Sequence, residues 1–494
     1  MNFKDTPIAE IDALMERSWK AFLVYRERPL SDRAAFMRII AEEMDASGDE
    51  LITTAMAETN LPEARLKNER NRTIFQLKSY GEAAERGDWL EARIDTADNN
   101  RNPPKPDIRK MLVPLGPVVV FGASNFPFAY STAGGDTACA FAAGCSVVVK
   151  AHPAHPATSA IVATAIQKAI SRCGLPEDLF IHVFGTSTET GKTLVTHKRT
   201  KAVGFTGSYT GGKALFDWAN QRKEPIPVFA EMSSVNPVFL LPDQMEKEPE
   251  KTAEMYAGSI TLGVGQFCTN PGLIFGIKGD ALEKFKTVLG EKIAGVAPAK
   301  MLHPGIAKAY HEKKSKALSQ QGNTLIKEST VKAGELEGEA AVATTTASVF
   351  INNTVLHEEV FGPYSMIIEC ADEKEMVEAV SKLEGQLTAT LMATEKDMLD
   401  YPDLISEVSN ICGRFIVNGV PTGVEVCLAM QHGGPFPATT DSRFTSVGAD
   451  GIKRFARPLA YQNWPDSQLP DELKNANPLQ IYRTVNNEPT KNSI

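Results

Sequence analysis

Over the first ninety residues, apolar side chains recur every three to four positions among Glu, Lys and Arg, and prolines are few. That spacing predicts a helical stretch over 8–92. The next segment, 97–110 (ADNNRNPPKPDIRK), is polar, proline-rich and basic, and reads as a linker or an extended arm. The rhythm then changes. PVVVFGA (117–123), SVVVK (146–150), FIHVFG (180–185), AVGFTG (202–207) and PVFAEM (227–232) are short, nearly continuous apolar runs. Amphipathic stretches between them predict helices near 133–143, 157–172, 188–196 and 210–220. Apolar strands alternating with helices of this length imply βαβ units and a parallel sheet covered on both faces. Ligands on such sheets bind at the carboxyl ends of the strands.

A second α/β rhythm follows Glu231. Helices are expected near 249–262 and 280–295, and strands at LIFGIKG (273–279), YSMIIEC (364–370), LTATLMA (387–393) and RFIVNG (414–419). Residues 298–346 are less regular, and GELEGEAAVATTTA at their end reads as a surface loop. There is no internal repeat. Residues 111–135 lack charge over a membrane-spanning length, but Pro114, Pro117, Pro127 and several glycines suit a buried strand and loop beside a ligand better than a membrane helix.

Composition narrows the picture. The 494 residues are 43% hydrophobic and 23% charged, with net charge −9. That excludes bulk disorder and argues against a nucleic-acid-binding surface. The seven cysteines are odd in number and form no CxxC, so neither a disulfide framework nor a structural metal site is expected. Most are expected to be buried apolar residues in a reducing compartment. No signal peptide is evident, and a cytoplasmic protein is expected.

Six motifs carry candidate chemistry. In GQFCTNPG (265–272), Cys268 is either a plain buried cysteine or a nucleophile, since it sits among loop-forming residues that can present backbone N–H groups to a thiolate and an oxyanion. In FAEMSSVNP (229–237), Glu231 ends an apolar strand, where a carboxylate is either paired in the core or functional; an apolar setting raises a carboxyl pKa, which suits a general base. Asn125 in GASNFPF (122–128) is either an oxyanion donor or a turn residue. GFTGSYTGG (204–212) places Gly207, Ser208 and Gly212 where a strand gives way to a helix, a weak phosphate signal. Lys150 in VVVKAHP ends a strand and is either solvated or a ribose or phosphate contact. In HEEVFGP (357–363), Glu359 and Phe361 form either a surface pair or a ribose grip beside a ring contact.

Taken together and in this order, Asn125, Lys150, Gly207-Ser208…Gly212, Glu231, Cys268 and Glu359-x-Phe361-Gly-Pro resemble the aldehyde dehydrogenase superfamily over nearly the whole chain. The stretches ASNFPF, KAHPAHPATS, EMSSVNP and GVPTGVEVC…QHGGPFPATTDSRFTSVG are similar to the branch of α-ketoglutaric semialdehyde (2,5-dioxovalerate) dehydrogenases, and several are shared with bacterial fatty-aldehyde dehydrogenases. The chain departs from the common superfamily pattern at Met232-Ser233-Ser234, where Leu-Gly-Gly is usual, and at Lys150-Ala151-His152-Pro153, where Lys-Pro-x-Glu is usual.

The resemblance implies a fold and a reaction. The fold is α/β: a Rossmann-like cofactor domain (1–96 and 115–232), an α/β catalytic domain (233–438), a small β oligomerisation arm (97–114 and a C-terminal segment), and a return to the cofactor domain through 439–494. By the same resemblance Cys268 attacks the aldehyde, Asn125 and the Cys268 N–H hold the oxyanion, hydride passes to a nicotinamide, and Glu231 activates the water that hydrolyses the thioester. Glu231 thus favours a free-acid product. Lys150, Gly207, Ser208 and Gly212 carry over to the adenosine and pyrophosphate end of the cofactor, and Glu359 and Phe361 to the nicotinamide ribose. With His152, Pro153 and His155 in place of the acid that grips a ribose 2′-OH, NADP is expected over NAD. The implied substrate is 2,5-dioxovalerate, with Arg414 and Arg443 as candidates for its distal carboxylate or else as structural ion pairs. The implied partners are a small aldehyde and copies of the same chain in a homodimer or homotetramer, with no nucleic acid, membrane or metal. A broad aliphatic or fatty-aldehyde dehydrogenase, a thiol esterase on Cys268 and a non-catalytic nucleotide-binding protein are the alternatives.

Overall fold

The computed structural model describes residues 3–494. The helical spacing of the first ninety residues forms four helices: α1 (Ile8–Tyr25), α2 (Leu30–Ala46), α3 (Gly48–Thr59) and α4 (Glu63–Arg86). Pro29 and Pro62 stand immediately before α2 and α4, where a missing N–H is harmless. The buried stripe of α2, Phe36, Met37, Ile40, Ala41 and Met44, has the period of a helix with one face on a core.

Two short strands follow, β1 (Arg93–Asp95) and β2 (Ile108–Pro114). The segment read as linker or arm is therefore partly strand. Asp98 and Lys105 exchange backbone hydrogen bonds of 3.0 and 2.9 Å, and β2 is paired on both edges. With Ala456–Gln462, Arg483–Val485 and Glu488–Thr490 these strands make a five-stranded sheet in the order 456–462, β2, β1, 483–485, 488–490.

The first apolar rhythm becomes a parallel sheet of β3 (Val118–Phe121), β4 (Val147–Lys150), β5 (Phe180–Val183), β6 (Ala202–Thr206) and β7 (Val228–Glu231), in the spatial order β5-β4-β3-β6-β7. Side chains alternate between two cores. Val118, Val120, Val147 and Val149 pack with α2 and with α5 (Gly135–Ala143), whereas Val119, Phe121, Val148 and Val203 pack on the opposite face. The strand order reverses between β3 and β6, so the crevice at their carboxyl ends is the expected ligand site. Gly204 in β6 leaves room for the Asp136 carboxylate, which a Cβ would meet at 2.8 Å. Asp136 pairs with buried Arg454 at 2.7 Å, which fastens the C-terminal return of the chain to this sheet.

Beyond Glu231 the chain crosses to a seven-stranded sheet built around β8 (Val238–Leu240) and β9 (Leu273–Ile277). Its order is 324–328, 341–346, 364–370, β9, β8, 386–392, 412–417, and only Thr324–Glu328 runs antiparallel to its neighbour. Phe239, Phe275, Met366 and Leu391 face one core, and Val238, Ile274, Ile367 and Met392 the other.

Within 298–346 the chain is more ordered than its pattern suggests. Pro304–Leu318 is a helix that buries only Ala307, Tyr310, Lys314 and Ala317, too few to give a clear apolar stripe. Ala341–Thr346, expected to be loop, is a strand bonded on both edges; its small Ala and Thr side chains hide it. All seven cysteines are free: Cys139, Cys145 and Cys370 are buried, Cys173, Cys268 and Cys412 half-buried, and Cys427 exposed. Burial is therefore less general among them than expected. Among the described residues no helix is long and apolar enough to cross a membrane.

Candidate active site

The crossing between the two sheets gathers the candidate residues. Glu231 ends β7 with only 3% of its surface exposed. Cys268 lies on a loop that follows the helix Pro249–Thr261, and Gly263, Val264 and Gly265 in that loop all have positive φ. A Cβ on Gly265 would collide with the Gly362 carbonyl, so glycine is required there and the Cys268 loop sits against the segment that carries Glu359 and Phe361. From below, Asn236 Nδ2 donates to the carbonyls of Cys268 and Asn270, each at 2.9 Å. Asn236 is fixed in turn by a buried polar network: Thr388 Oγ1 donates to its Oδ1 (3.0 Å), and Gln386 Oε1 accepts from the Val235 N–H (2.7 Å) and lies 2.9 Å from Ser234 Oγ. Ser234 also accepts from the Leu387 N–H at 3.0 Å. The departure from glycine at Ser234 thus adds a hydroxyl that ties the crossing segment to the large sheet.

A residue not singled out from sequence completes the centre. His432 is buried, and its Nε2 lies 3.6 Å from Cys268 Sγ and 3.1 Å from Glu231 Oε2. One ligating atom from each of the three residues falls within 4.8 Å of the others. Ser446 Oγ donates to Glu231 Oε2 and lies near the His432 carbonyl, each at 3.1 Å. Burial pushes the Glu231 carboxyl up, but the charge and hydrogen bond of His432, with help from Ser446, hold it below its ordinary value. This corrects the expectation of a raised carboxyl: Glu231 is ionised at neutral pH. Burial, and next the Glu231 charge, push the Cys268 thiol well above its usual range, with Arg72 pulling the other way. The resting sulfur is therefore protonated, and its proton has to move to a neighbour before it can attack.

Asn125 stands on the loop after β3. Its Nδ2 donates to the Gln266 carbonyl at 3.1 Å, two residues before Cys268, which leaves one amide hydrogen free. The loop is held by α4. Glu69 Oε1 accepts from the N–H groups of Phe128 (2.8 Å) and Ala129 (3.0 Å), and Arg65 Nη2 donates to the Asn125 carbonyl at 3.0 Å. Arg65, Glu69, Arg72, Phe126, Tyr130, Phe267, Cys268 and Val424 are among the residues around a cavity of about 200 Å³. Arg65 and Arg72 were also not singled out from sequence; the signal is the i, i+4, i+7 spacing of Arg65, Glu69 and Arg72 on one helix face. Neither arginine named from sequence lines this cavity. Arg443 is exposed and paired with Asp441, and Arg414 donates to the carbonyls of Gly423 (3.0 Å) and Pro421 (2.7 Å).

Of the residues assigned to a dinucleotide, Lys150, Gly207, Ser208 and Gly212 lie along the carboxyl edge of the parallel sheet. Lys150 ends β4. Among the described residues the only hydrogen bond of its side chain is a 3.5 Å contact with the Ala151 carbonyl, and burial lowers its pKa while the charge of Asp5 opposes that. A half-buried cation with no salt bridge among the described residues fits an anionic or hydroxylated ligand. Ser208 caps the helix Tyr209–Asn220, accepting from the Gly211 N–H at 3.2 Å. A Cβ on Gly212 would lie 2.6 Å from Met232 Cγ, so the first turn of this helix can pack closely on the crossing segment. A Cβ on Gly207 would meet the Phe205 ring at 2.7 Å. This glycine turn opening a helix fits a phosphate. Glu359 and Phe361 line a narrow second cavity with Ser234, Phe267 and Asn270, and burial pushes the Glu359 carboxyl up to about 7, opposed by Lys313 and Ser233. Phe267 borders both cavities.

Residues 1–435 match the model of the Aldehyde dehydrogenase family. The chain is 47% identical over 476 residues to alpha-ketoglutaric semialdehyde dehydrogenase 2 of Azospirillum brasilense, covering 96% of this chain and 91% of the relative. It is 46% identical over 494 residues to alpha-ketoglutaric semialdehyde dehydrogenase of Acinetobacter baylyi, covering 99% and 93%. The fold matches glyceraldehyde-3-phosphate dehydrogenase GapN of Methanocaldococcus jannaschii, solved with NADP, with a TM-score of 0.79 at 17% identity over 93% of this chain and 95% of that one.

The coupling of Cys268 to Glu231 has a measurable sign. Glu231→Gln removes a negative charge that disfavours the thiolate, so the pH midpoint for iodoacetamide alkylation of Cys268 is expected to move down. The pH dependence of peptide-mapped alkylation checks this.

Proposed function

The chain belongs to the aldehyde dehydrogenase family, and from that premise we propose that it oxidises 2,5-dioxovalerate (α-ketoglutaric semialdehyde) to 2-oxoglutarate with NADP, or less readily NAD. The observation that carries this reading is the convergence of Cys268 Sγ, His432 Nε2 and Glu231 Oε2 beside a cavity that also holds an arginine without a salt bridge. The identity of nearly half over almost the whole length to relatives named for this aldehyde supports the substrate.

The chemistry follows from the protonation states. As the aldehyde carbon approaches, Cys268 gives its proton to the ionised Glu231, whose carboxylate faces the thiol, while the His432 Nε2–H keeps its hydrogen bond to Glu231 Oε2 at 3.1 Å; Glu231 then releases that proton to solvent. The sulfur bonds to the carbonyl carbon. The oxygen becomes an alkoxide for which the free Asn125 amide hydrogen and the Cys268 backbone N–H are the donors, and a single donor of this kind is worth about 10²–10³ in rate. A bound nicotinamide supplies the acceptor for hydride. The thioester left on Cys268 then needs water. Glu231 Oε1 is buried with no hydrogen-bond partner among the described residues, and it takes the proton of that water. When the C–S bond breaks, Glu231 gives that proton to the sulfur, and the acid leaves free.

In this reading the sheet of 115–232 holds the dinucleotide and 233–438 supplies the nucleophile. Lys150, Gly207, Ser208 and Gly212 hold the adenosine and pyrophosphate end, and Glu359 and Phe361 the nicotinamide ribose. The NADP preference rests on Lys150 with no acid at 151–155. His152, which stacks on His155 at 5.3 Å, is held neutral because burial pushes its pKa down to about 3. Lys150 is then the cation left for a 2′-phosphate.

The chain also has a surface suited to self-association. Strand 412–417 is paired on one edge only and exposes Phe415 and Val417, while the 456–490 sheet exposes Trp464 and Tyr482 nearby in sequence. An open apolar strand edge calls for cover, and we assign it to a homodimer or homotetramer in which this sheet takes part. A nucleophilic thiol among seven unpaired cysteines suits the reducing cytoplasm.

Nucleotide reduction followed at 340 nm with NADP or NAD and 2,5-dioxovalerate, succinic semialdehyde or hexanal tests the reaction. Turnover is expected to be highest with NADP and 2,5-dioxovalerate and abolished in Cys268→Ala. Hexanal as the better substrate replaces 2,5-dioxovalerate with the broad aliphatic alternative. Lys150→Ala is expected to raise KM for NADP far more than for NAD, and equal rises contradict its role. Light scattering of the purified chain is expected to give two or four times the 53.7 kDa chain mass; a monomer contradicts the assembly.

A further inference from the structure

The walls of the Cys268 cavity are mostly apolar or aromatic, with Phe126, Tyr130, Phe267 and Val424 around the sulfur. Three ionisable side chains of α4 enter it: Arg65, Glu69 and Arg72. Two of them cancel. Arg65 Nη1 lies 3.3 Å from Glu69 Oε2, Arg65 Nη2 is held by the Asn125 carbonyl, and the Arg65 guanidinium packs 4.4 Å from the Phe126 ring centre. Glu69 is fully occupied by Arg65 and by the backbone N–H groups of Phe128 and Ala129. Arg65 and Glu69 therefore hold the Asn125 loop and leave no net charge for a ligand.

Arg72 is different. Its one hydrogen bond is from Nη2 to the Tyr130 hydroxyl at 3.1 Å. Its Nε is buried without a partner, Nη1 makes no hydrogen bond, and among the described residues no carboxylate lies within salt-bridge distance. The Tyr130 and Phe126 rings flank the guanidinium at 5.4 and 5.9 Å from their centres. A guanidinium partly withdrawn from water among aromatic rings gains most from an anion that presents two oxygens to its planar donors. Its charge also reaches Cys268, where it favours the thiolate. The cation and the nucleophile thus border one cavity, where a short substrate can offer its aldehyde to the sulfur and a carboxylate to the guanidinium.

We propose that Arg72 is the specificity-determining residue, receiving the distal carboxylate of an ω-oxo acid while its aldehyde meets Cys268. This rests on the reaction proposed above and adds the group that selects a charged aldehyde over a neutral one. Tyr130 aims the guanidinium, and Arg414 holds the Pro421–Gly423 wall in place rather than touching the substrate.

The test is a ratio within each protein: kcat/KM for 2,5-dioxovalerate over kcat/KM for hexanal, in the full-length enzyme and in Arg72→Gln and Arg72→Lys. Because both aldehydes report on the same folded fraction, partial loss of folding cancels. The ratio is expected to fall about a hundredfold in Arg72→Gln, with the loss mainly in KM for the acid, and by less in Arg72→Lys, which keeps the charge and loses the fork. A wild-type preference for 2,5-dioxovalerate that survives in Arg72→Gln overturns the role of Arg72 alone. A wild-type enzyme that handles hexanal as well as 2,5-dioxovalerate overturns the substrate, and the role of Arg72 with it.

Discussion

The structure turns on one constraint: the Glu231 carboxylate is buried at the end of a strand and remains charged. A carboxylate withdrawn from water is costly unless hydrogen-bonded and paired. The partners come from the far end of the chain, where the segment carrying His432 and Ser446 returns across β7 and Met232 N–H donates to the Ala438 carbonyl at 2.8 Å. The same return is fixed to the first parallel sheet by the buried pair of Arg454 and Asp136. The charge that His432 keeps on Glu231 also holds Cys268 as a protonated thiol. Fold and chemistry meet in that one triangle of side chains.

Around the triangle, backbone positions matter as much as side chains. The Cys268 loop is set by three successive positive-φ residues, by glycine contact with Gly362 and by the Asn236 amide below it. The Asn125 loop is set by the Arg65–Glu69 pair of α4. Cys268 and Asn125, the proposed nucleophile and oxyanion donor, are thus held from different layers, which suits a site that must be in place before the substrate arrives. The helical N-terminal segment does more than cover the sheet, because its α4 face forms one wall of the Cys268 cavity.

Much of this was legible in the sequence, for definite reasons. Apolar runs at βαβ spacing gave the parallel sheet, and the rule that ligands gather at its carboxyl edge placed Asn125, Lys150, Ser208 and Glu231 along one crevice. His432 was not found because its role depends on a contact with residues far away in the chain; QHGGPF held the clue, since a Cβ on Gly434 would strike the Gln386 carbonyl and the loop must therefore be close-packed. Arg72 was missed because a charged residue on a helix ordinarily faces water. The raised pKa expected for Glu231 failed because burial was weighed without its partner. The strand at 341–346 was hidden by small side chains that carry little hydrophobic signal.

The most direct test of the account is the mass of the acylated enzyme. Glu231→Gln, incubated with NADP and 2,5-dioxovalerate and then quenched in acid, is expected to carry one 2-oxoglutaryl group on the peptide containing Cys268, with one nucleotide reduced per adduct. Nucleotide reduction without an adduct on that peptide, or with the group on another residue, would contradict the assignment of Cys268 as nucleophile and Glu231 as the base that releases the acid.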